Sequence, residues 1–137
     1  MRRVAVVIAI AAAAFVAVDV PGEAIAAAGP YPLRGGVLTE HTCKKSQLLG
    51  LRCISEWYRF STARHGRRSV ATVHYRWVYE FARPAPVNVR RTLTGEVRKW
   101  WAAEARKPSL RVAQPLQMRW ADGWRVLVAD ITMASRG

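Results

Sequence analysis

The chain has 137 residues and a formal net charge of +13, since 22 lysines and arginines outnumber nine acidic residues. A chain of this length can bury one modest core and is too short for two. The charge favours polyanionic partners but does not predict the fold. A basic surface that only maintains solubility, with arginine enriched by codon usage, is the alternative.

The first 28 residues have the three-part layout of a secretory signal: a cationic start, 15 apolar residues over Val4–Val18, and small residues before a cut site after Ala26 or Ala28. The apolar run is shorter than the roughly 20 residues that a membrane-spanning helix needs, so we expect cleavage, with an uncleaved anchor as the alternative. In both cases residues 29–137 form one cationic domain that is secreted or held in the cell envelope. The signal itself is electrically neutral, so the domain keeps the full charge.

The two cysteines of the chain are Cys43 and Cys53, and in an oxidising compartment an isolated pair predicts a disulfide. Closing so short a loop stabilises a fold by about 2.5–3 kcal/mol in the chain-entropy description. His41 offers a third ligand for zinc, but no further pair with zinc-ligand spacing supplies a fourth. We therefore expect a disulfide, no metal site and no other cofactor.

Two segments before the first clear strand pattern are ambiguous. Residues 29–36 are rich in glycine and proline and are predicted to be a lead-in outside the core. Thr39–Leu49 fits either a short helix that ends at Gly50 or an irregular loop held by the disulfide.

Alternation of apolar and polar residues predicts a first hairpin. Val70–Phe81 alternates strictly, and Ile54–Thr62 has apolar residues at the same spacing. Gly66 lies in the predicted turn between them. The expected register places Phe60 opposite Ala71, with both apolar sets on one face.

A helix is predicted over Thr94–Arg106, with its first residue as the N-cap and Pro108 just after its end. Trp100 and Trp101 lie on its apolar stripe and would anchor it on the sheet. Val87–Arg91, which follows two prolines, is expected to add a strand or only a link.

A second hairpin is predicted from Leu116–Ala121 and Trp124–Met133, joined by a two-residue turn at Asp122-Gly123. In that register Trp120 opposes Arg125, and the guanidinium would lie against the indole ring. Together these elements predict an α+β fold: an antiparallel sheet of four to five strands made of two hairpins, one helix packed across a face, and one disulfide.

Signals for enzyme activity are weak, because no nucleophile elbow, phosphate-binding loop or metal-spaced histidine pair occurs. One polar group on the first hairpin could act on a phosphodiester, with Glu80 as base, His74 as acid, and Arg59 and Arg76 holding the phosphate. Six residues of extended strand, however, separate His74 from Glu80 by about 20 Å, too far to act on one substrate atom. A solvated polar face is the alternative explanation.

Cations recur beside aromatic residues along the chain, a pattern that suits anionic glycans, membranes or single-stranded nucleic acid. We expect an exported, non-catalytic binding protein whose partner is an anionic envelope polymer, an anionic membrane surface or another exported protein; intracellular nucleic acid is disfavoured. The alternatives are a small secreted nuclease-like hydrolase and an accessory subunit or inhibitor that docks through a sheet edge. The predicted binding residues are Arg59, Arg64, Arg67, Arg68, Arg76, Arg119 and Arg125.

Overall fold

The computed structural model describes residues 29–135, so the predicted signal segment and its cut site lie outside the described residues. Within residues 29–135, the length and hydropathy expected of a membrane-spanning helix do not occur together in any helix. The elements are, in chain order, β1 (Val37–Ser46), β2 (Gly50–His65), β3 (Arg68–Phe81), α1 (Val87–Glu104), β4 (Leu110–Ala121) and β5 (Val126–Ser135).

The five strands form one antiparallel sheet in the order β1-β2-β3-β5-β4. Because β5 lies between β3 and β4, those two strands run parallel, and α1 connects them. The α+β class, the antiparallel sheet, the single described helix and the disulfide are confirmed. The prediction of two hairpins is wrong, since β1–β2, β2–β3 and β4–β5 make three.

The additional strand is β1, which occupies most of the segment predicted to be a helix or a loop. A register irregularity between Leu38 and Glu40 interrupts its alternation, and as an edge strand it leaves many side chains in solvent. Both features hide the period-two signal that reveals a strand. Gly50, with φ of 78°, is the first residue of β2 after the turn from β1, and it does not end a helix.

The turn between β2 and β3 has two residues, because His65 pairs with Arg68. Phe60 therefore opposes Val73, and the register predicted with Ala71 is wrong by two residues. A shift of two keeps every side chain on its face, so the predicted apolar face is correct.

The helix begins seven residues earlier than predicted, immediately after Pro86. Proline precedes a helix favourably because its fixed φ and its missing N–H cost nothing where no intrahelical partner exists. Thr94 is thus internal, and its hydroxyl donates to the carbonyl of Arg90 at 2.9 Å instead of capping the helix. The segment Val87–Arg91 is the start of α1 and not a strand.

The turn between β4 and β5 is longer than predicted, because Ala121 pairs with Val126 and leaves four residues in the loop. Trp124 adopts a φ of 66°, which extends the loop beyond Asp122-Gly123. Trp120 consequently opposes Leu127, and the expected contact between Trp120 and Arg125 is wrong.

The main core lies between α1 and one face of the sheet, which we call the core face. Trp101 is buried, and the centre of its ring lies 5.3 Å from the ring centre of Trp77 and 5.2 Å from that of Tyr75. Trp100 contacts Trp77 at 4.7 Å, so the tryptophan pair anchors the helix as predicted.

The other side of the sheet, the polar face, is partly covered by residues 29–36, which we call the N-terminal strap. Leu33 is 5% exposed and packs on Trp57, while Tyr31 packs on Val78 and Val128. The prediction that this segment lies outside the core is wrong, because these apolar side chains cover an otherwise exposed indole and valine pair.

Candidate functional site

The polar face carries an ion-pair network centred on Asp130 of β5. Arg76 lies opposite it on β3 and donates from Nε to Oδ1 at 2.8 Å and from Nη2 to Oδ2 at 3.3 Å. His74 Nε2 lies 2.9 Å from the same Oδ1 atom. The side chains of His74 and Asp130 are 21% and 24% exposed, so the network borders solvent.

Arg59 determines which nitrogen of His74 carries the proton. Its Nη2 lies 3.3 Å from His74 Nδ1, and its Nη1 donates to the carbonyl of Arg34 at 2.8 Å. A guanidinium can only donate, so Nδ1 accepts and Nε2 donates to Asp130. With both ring nitrogens engaged, His74 has no free nitrogen for proton exchange with a substrate.

Glu80, the predicted base, does not belong to this network. By register it lies opposite Val126, three side-chain rows from His74 along the same face. Its Oε1 approaches Gly29 of the strap, where an added Cβ would lie 3.2 Å away. The structure thus joins His74 and Arg76 through Asp130 and leaves Glu80 apart.

Asp130 was not among the predicted site residues. The sequence pattern predicted that its strand pairs with β4 in a hairpin and gave no sign that it also pairs with β3. One signal could have identified it: Asp130 and Thr132 are polar residues two positions apart on a strand whose other residues are mostly buried, so they share one face. Beside it, a cavity of about 330 Å³ is lined by His74, Gln114, Pro115, Gln117, Asp130, Ile131 and Thr132. Gln114 and Pro115 lie where the register of β4 is irregular, which opens this space.

Three of the predicted binding arginines lie together at the end of the β2–β3 hairpin. β1 pairs with β2 only as far as Tyr58, and β5 pairs with β3 only from Thr72 onwards. Thr62–Ala71 therefore form a two-stranded extension, which we call the basic ribbon. Its exposed cations are Arg64, Arg67 and Arg68.

The other four predicted binding arginines have internal partners. Arg59 and Arg76 belong to the His74 network, and Arg119 lies 5.0 Å from the centre of the Tyr31 ring. Arg125 donates to Asp122 at 2.6 Å in the β4–β5 turn, at the other end of the sheet from the ribbon. The seven arginines do not form one patch.

Further exposed cations lie on the outer face of α1, where Arg91, Arg98 and Lys99 point to solvent. They belong to a different part of the molecule, since α1 packs on the core face, whereas the ribbon extends past the part of the sheet that β1 and β5 pair with. Positive charge is therefore distributed over more than one surface, and the ribbon is distinguished by its shape.

A larger groove, about 480 Å³, lies between the β1–β2 turn and the first half of α1. Its apolar wall includes Leu49, Phe81 and Leu93, and Leu48 at its rim is 70% exposed. Arg52 and Glu96 supply its charged groups. The sequence did not predict this groove, because its outer wall depends on β1.

The predicted disulfide is present and joins residues that face each other on β1 and β2. His41 lies on the same face, with Nε2 3.7 Å from Cys43 Sγ. The donor atoms of His41, Cys43 and Cys53 all lie within 4.8 Å of one another, and no other such cluster occurs among the residues whose side chains the structure describes.

Comparison of the chain with protein-family models, with curated proteins and with solved structures finds no match.

Proposed function

We propose that this protein is an exported, non-catalytic protein that binds an anionic polymer of the cell envelope through the basic ribbon. The proposal rests on one observation: Arg64, Arg67 and Arg68 are exposed on a projecting hairpin, and no acidic residue of the described range forms an ion pair with them. Unpaired guanidinium groups keep their full capacity to bind phosphate or carboxylate in a two-pronged manner.

The shape of the ribbon favours a polymer over a flat membrane surface. Arg64 pairs with Ser69 and Arg68 pairs with His65, so their side chains leave opposite faces of the hairpin. Arg67 lies in the turn itself. Cations on both faces and at the tip suit a flexible chain that can wrap around the ribbon, whereas a planar surface would contact one face.

The internal contacts of His74 support a non-catalytic role. Since Arg59 and Asp130 engage both ring nitrogens, proton transfer to a phosphodiester would require the network to break. We expect the purified protein to leave RNA and DNA intact. Cleavage that disappears in a His74→Ala variant would contradict this and would favour the hydrolase.

The binding experiment compares two variants of equal charge. Arg64, Arg67 and Arg68 are changed to Gln in the ribbon variant, and Arg91, Arg98 and Lys99 are changed to Gln in the helix variant. Binding to teichoic acid is measured by titration between about 50 and 200 mM salt, where counterion release gives a steep dependence. We expect the ribbon variant to lower the salt slope by about 2–3 and the helix variant by less than 1.

Equal losses in the two variants would contradict a localised site and would show that net charge alone causes binding. Binding that does not respond to salt would contradict electrostatic capture. Tighter binding to anionic vesicles than to teichoic acid would identify the membrane as the partner instead. Co-purification with one stoichiometric protein, unaffected by the ribbon variant, would favour the accessory-subunit alternative.

Export is part of the proposal, and the Cys43–Cys53 disulfide is compatible with it. Mass spectrometry of the protein recovered outside the cytoplasm is expected to find a chain that starts at Ala27 or Gly29. Recovery of the intact chain from the cytoplasm, with both cysteines reduced, would contradict export.

A further inference from the structure

Four side chains around the disulfide form a compact rectangle on the polar face. His41 and Cys43 are two residues apart on β1, so both leave the strand on one side. Ser55 and Cys53 lie directly opposite them on β2. The pairing of these strands continues beyond the rectangle in both directions, so backbone hydrogen bonds hold the four positions together independently of the sulfur–sulfur bond.

Three of these side chains are of types that bind metal ions, although the two sulfur atoms are bonded to each other and have to move apart on reduction. The His41 Nε2 atom and the two sulfur atoms lie within 4.8 Å of one another, and Nε2 is 3.7 Å from Cys43 Sγ. Atoms bound to one metal ion at about 2.0–2.3 Å are separated from each other by roughly 3–4 Å. Small side-chain rotations would therefore bring all three onto a single ion.

Ser55 hydrogen-bonds to His41 in the way that outer-sphere residues hydrogen-bond to metal-bound histidines. Its Oγ lies 2.9 Å from His41 Nδ1. When the hydroxyl accepts from Nδ1–H, the lone pair is on Nε2, which points towards the sulfurs. Metal-binding histidines commonly donate their second ring N–H in this way. A disulfide alone does not require this arrangement.

We propose that reduction of the Cys43–Cys53 disulfide converts this cluster into a binding site for Cu(I). A dithiol reductant transfers two electrons and two protons to the disulfide and becomes a cyclic disulfide itself. Its thiolate attacks the exposed Cys43 sulfur, and the buried Cys53 sulfur leaves. Cu(I) then displaces the two thiol protons and binds both thiolates and His41 Nε2, without changing its oxidation state.

The ligand set favours Cu(I) over zinc. Thiolates are soft ligands that select Cu(I) or zinc over harder ions. Structural zinc requires four protein ligands, whereas the cluster offers three in the described range. Cu(I) is satisfied by three ligands. This inference goes beyond the proposed polyanion binding and uses none of the ribbon residues.

The test uses the full chain, reduced with a phosphine that is then removed under anaerobic conditions. Cu(I) is supplied as its coloured bicinchoninate complex, and loss of colour reports transfer to the protein. We expect the reduced protein to take up one equivalent and the oxidised protein to take up none. X-ray absorption should show two sulfur neighbours and one nitrogen neighbour at the copper.

Single substitutions separate the ligand from its support. His41→Ala is expected to weaken Cu(I) binding by at least about tenfold and to remove the nitrogen neighbour, and Ser55→Ala to weaken it by about tenfold. His74→Ala, on the same face but outside the cluster, is the matched control and should bind as the wild type does.

The proposal is overturned if reduced His41→Ala binds Cu(I) as tightly as the wild type, because the thiols alone would then account for binding. It is also overturned if the oxidised protein binds equally well, or if zinc displaces Cu(I) in direct competition. Circular dichroism covers the remaining case: a sheet that is lost on reduction and is not restored by Cu(I) excludes the site.

Discussion

Tyr58 is among the most deeply buried residues of the main core, with 1% of its surface exposed. No hydrogen-bond partner for its hydroxyl is found within residues 29–135. Burial raises the pKa of this hydroxyl, because the ionised form loses its hydration. A polar group that gives up water without gaining a partner is a local cost to stability.

Removal of that hydroxyl should stabilise the protein. We expect Tyr58→Phe to increase the free energy of unfolding by about 1 kcal/mol, since the ring keeps its packing and the uncompensated group disappears. That change corresponds to a rise in melting temperature of about 4–8 °C for a domain of this size. Thermal and urea unfolding measure it, and a loss of stability would show that the hydroxyl has a partner.

The His74 network shows how far single residues could be predicted. His74 and Arg76 were selected from their shared strand face, and the structure places them together. Their carboxylate partner was not found, because Asp130 is more than 50 residues away and comes into contact only through the pairing of β3 with β5. Cross-strand partners are set by register, which local patterns do not specify.

At the scale of elements, α1 contains a glycine where none is required. Gly95 lies in the middle of the helix and is exposed, and an added Cβ would meet nothing within 4 Å. We expect Gly95→Ala to stabilise the protein by about 1 kcal/mol, because alanine loses less backbone entropy on forming a helix. Chemical denaturation followed by helical circular dichroism measures the change.

A Thr94→Ala variant distinguishes the observed start of α1 from the predicted one. Thr94 is an internal residue whose hydroxyl donates to the carbonyl of Arg90. We therefore expect the substitution to raise the free energy of unfolding by up to about 0.5 kcal/mol, because alanine has the higher helix propensity. If Thr94 were the N-cap, the same substitution would lower the free energy of unfolding by about 1 kcal/mol. A clear loss would contradict the start at Val87.

Over the whole molecule, several carboxylates are paired with cations of the same chain, and the basic residues outnumber the acidic ones. Asp130, Asp122 and Glu104 each form an ion pair with a basic side chain. Among the described residues, the exposed arginines without an ion-pair partner include those of the ribbon and those of the outer face of α1. The excess positive charge therefore lies on the surface, and the part carried by the ribbon projects beyond the neighbouring strands.

Global stability should fall in strongly alkaline solution. Burial, with smaller effects of the Glu104 and Tyr58 charges, raises the pKa of Tyr75 from 10.0 to about 12. The unfolded chain releases this proton near pH 10 and the folded protein holds it until about pH 12, so the stabilising contribution is complete below pH 10 and is lost between the two values. The loss amounts to roughly 2–3 kcal/mol.

Urea unfolding at pH 9 and at pH 11.5 measures this effect, and Tyr75→Phe is the control. The variant should lose less stability than the wild type across this interval, although Tyr58 contributes in the same direction. Identical profiles for the two proteins would contradict the shift at Tyr75.

Features that depend on near neighbours in the chain could be predicted from the amino-acid pattern. Alternation in Val70–Phe81 identified the central strand and its apolar face, and the spacing of Trp100 and Trp101 identified how the helix packs. The two cysteines identified the disulfide. These patterns are visible because a strand or helix with one buried side repeats its apolar residues at a fixed period.

Features that depend on contacts between distant segments became visible in the folded protein. β1 is recognisable as a strand through its pairing with β2, and the N-terminal strap is part of the core because Leu33 meets Trp57. Register and loop length also place the arginines in different surroundings. Arg76 and Arg125 each meet an aspartate, whereas the arginines of the basic ribbon have no ion-pair partner among the described residues. Long-range pairing is selected by the burial and polar contacts of the whole sheet, which no local stretch of sequence contains.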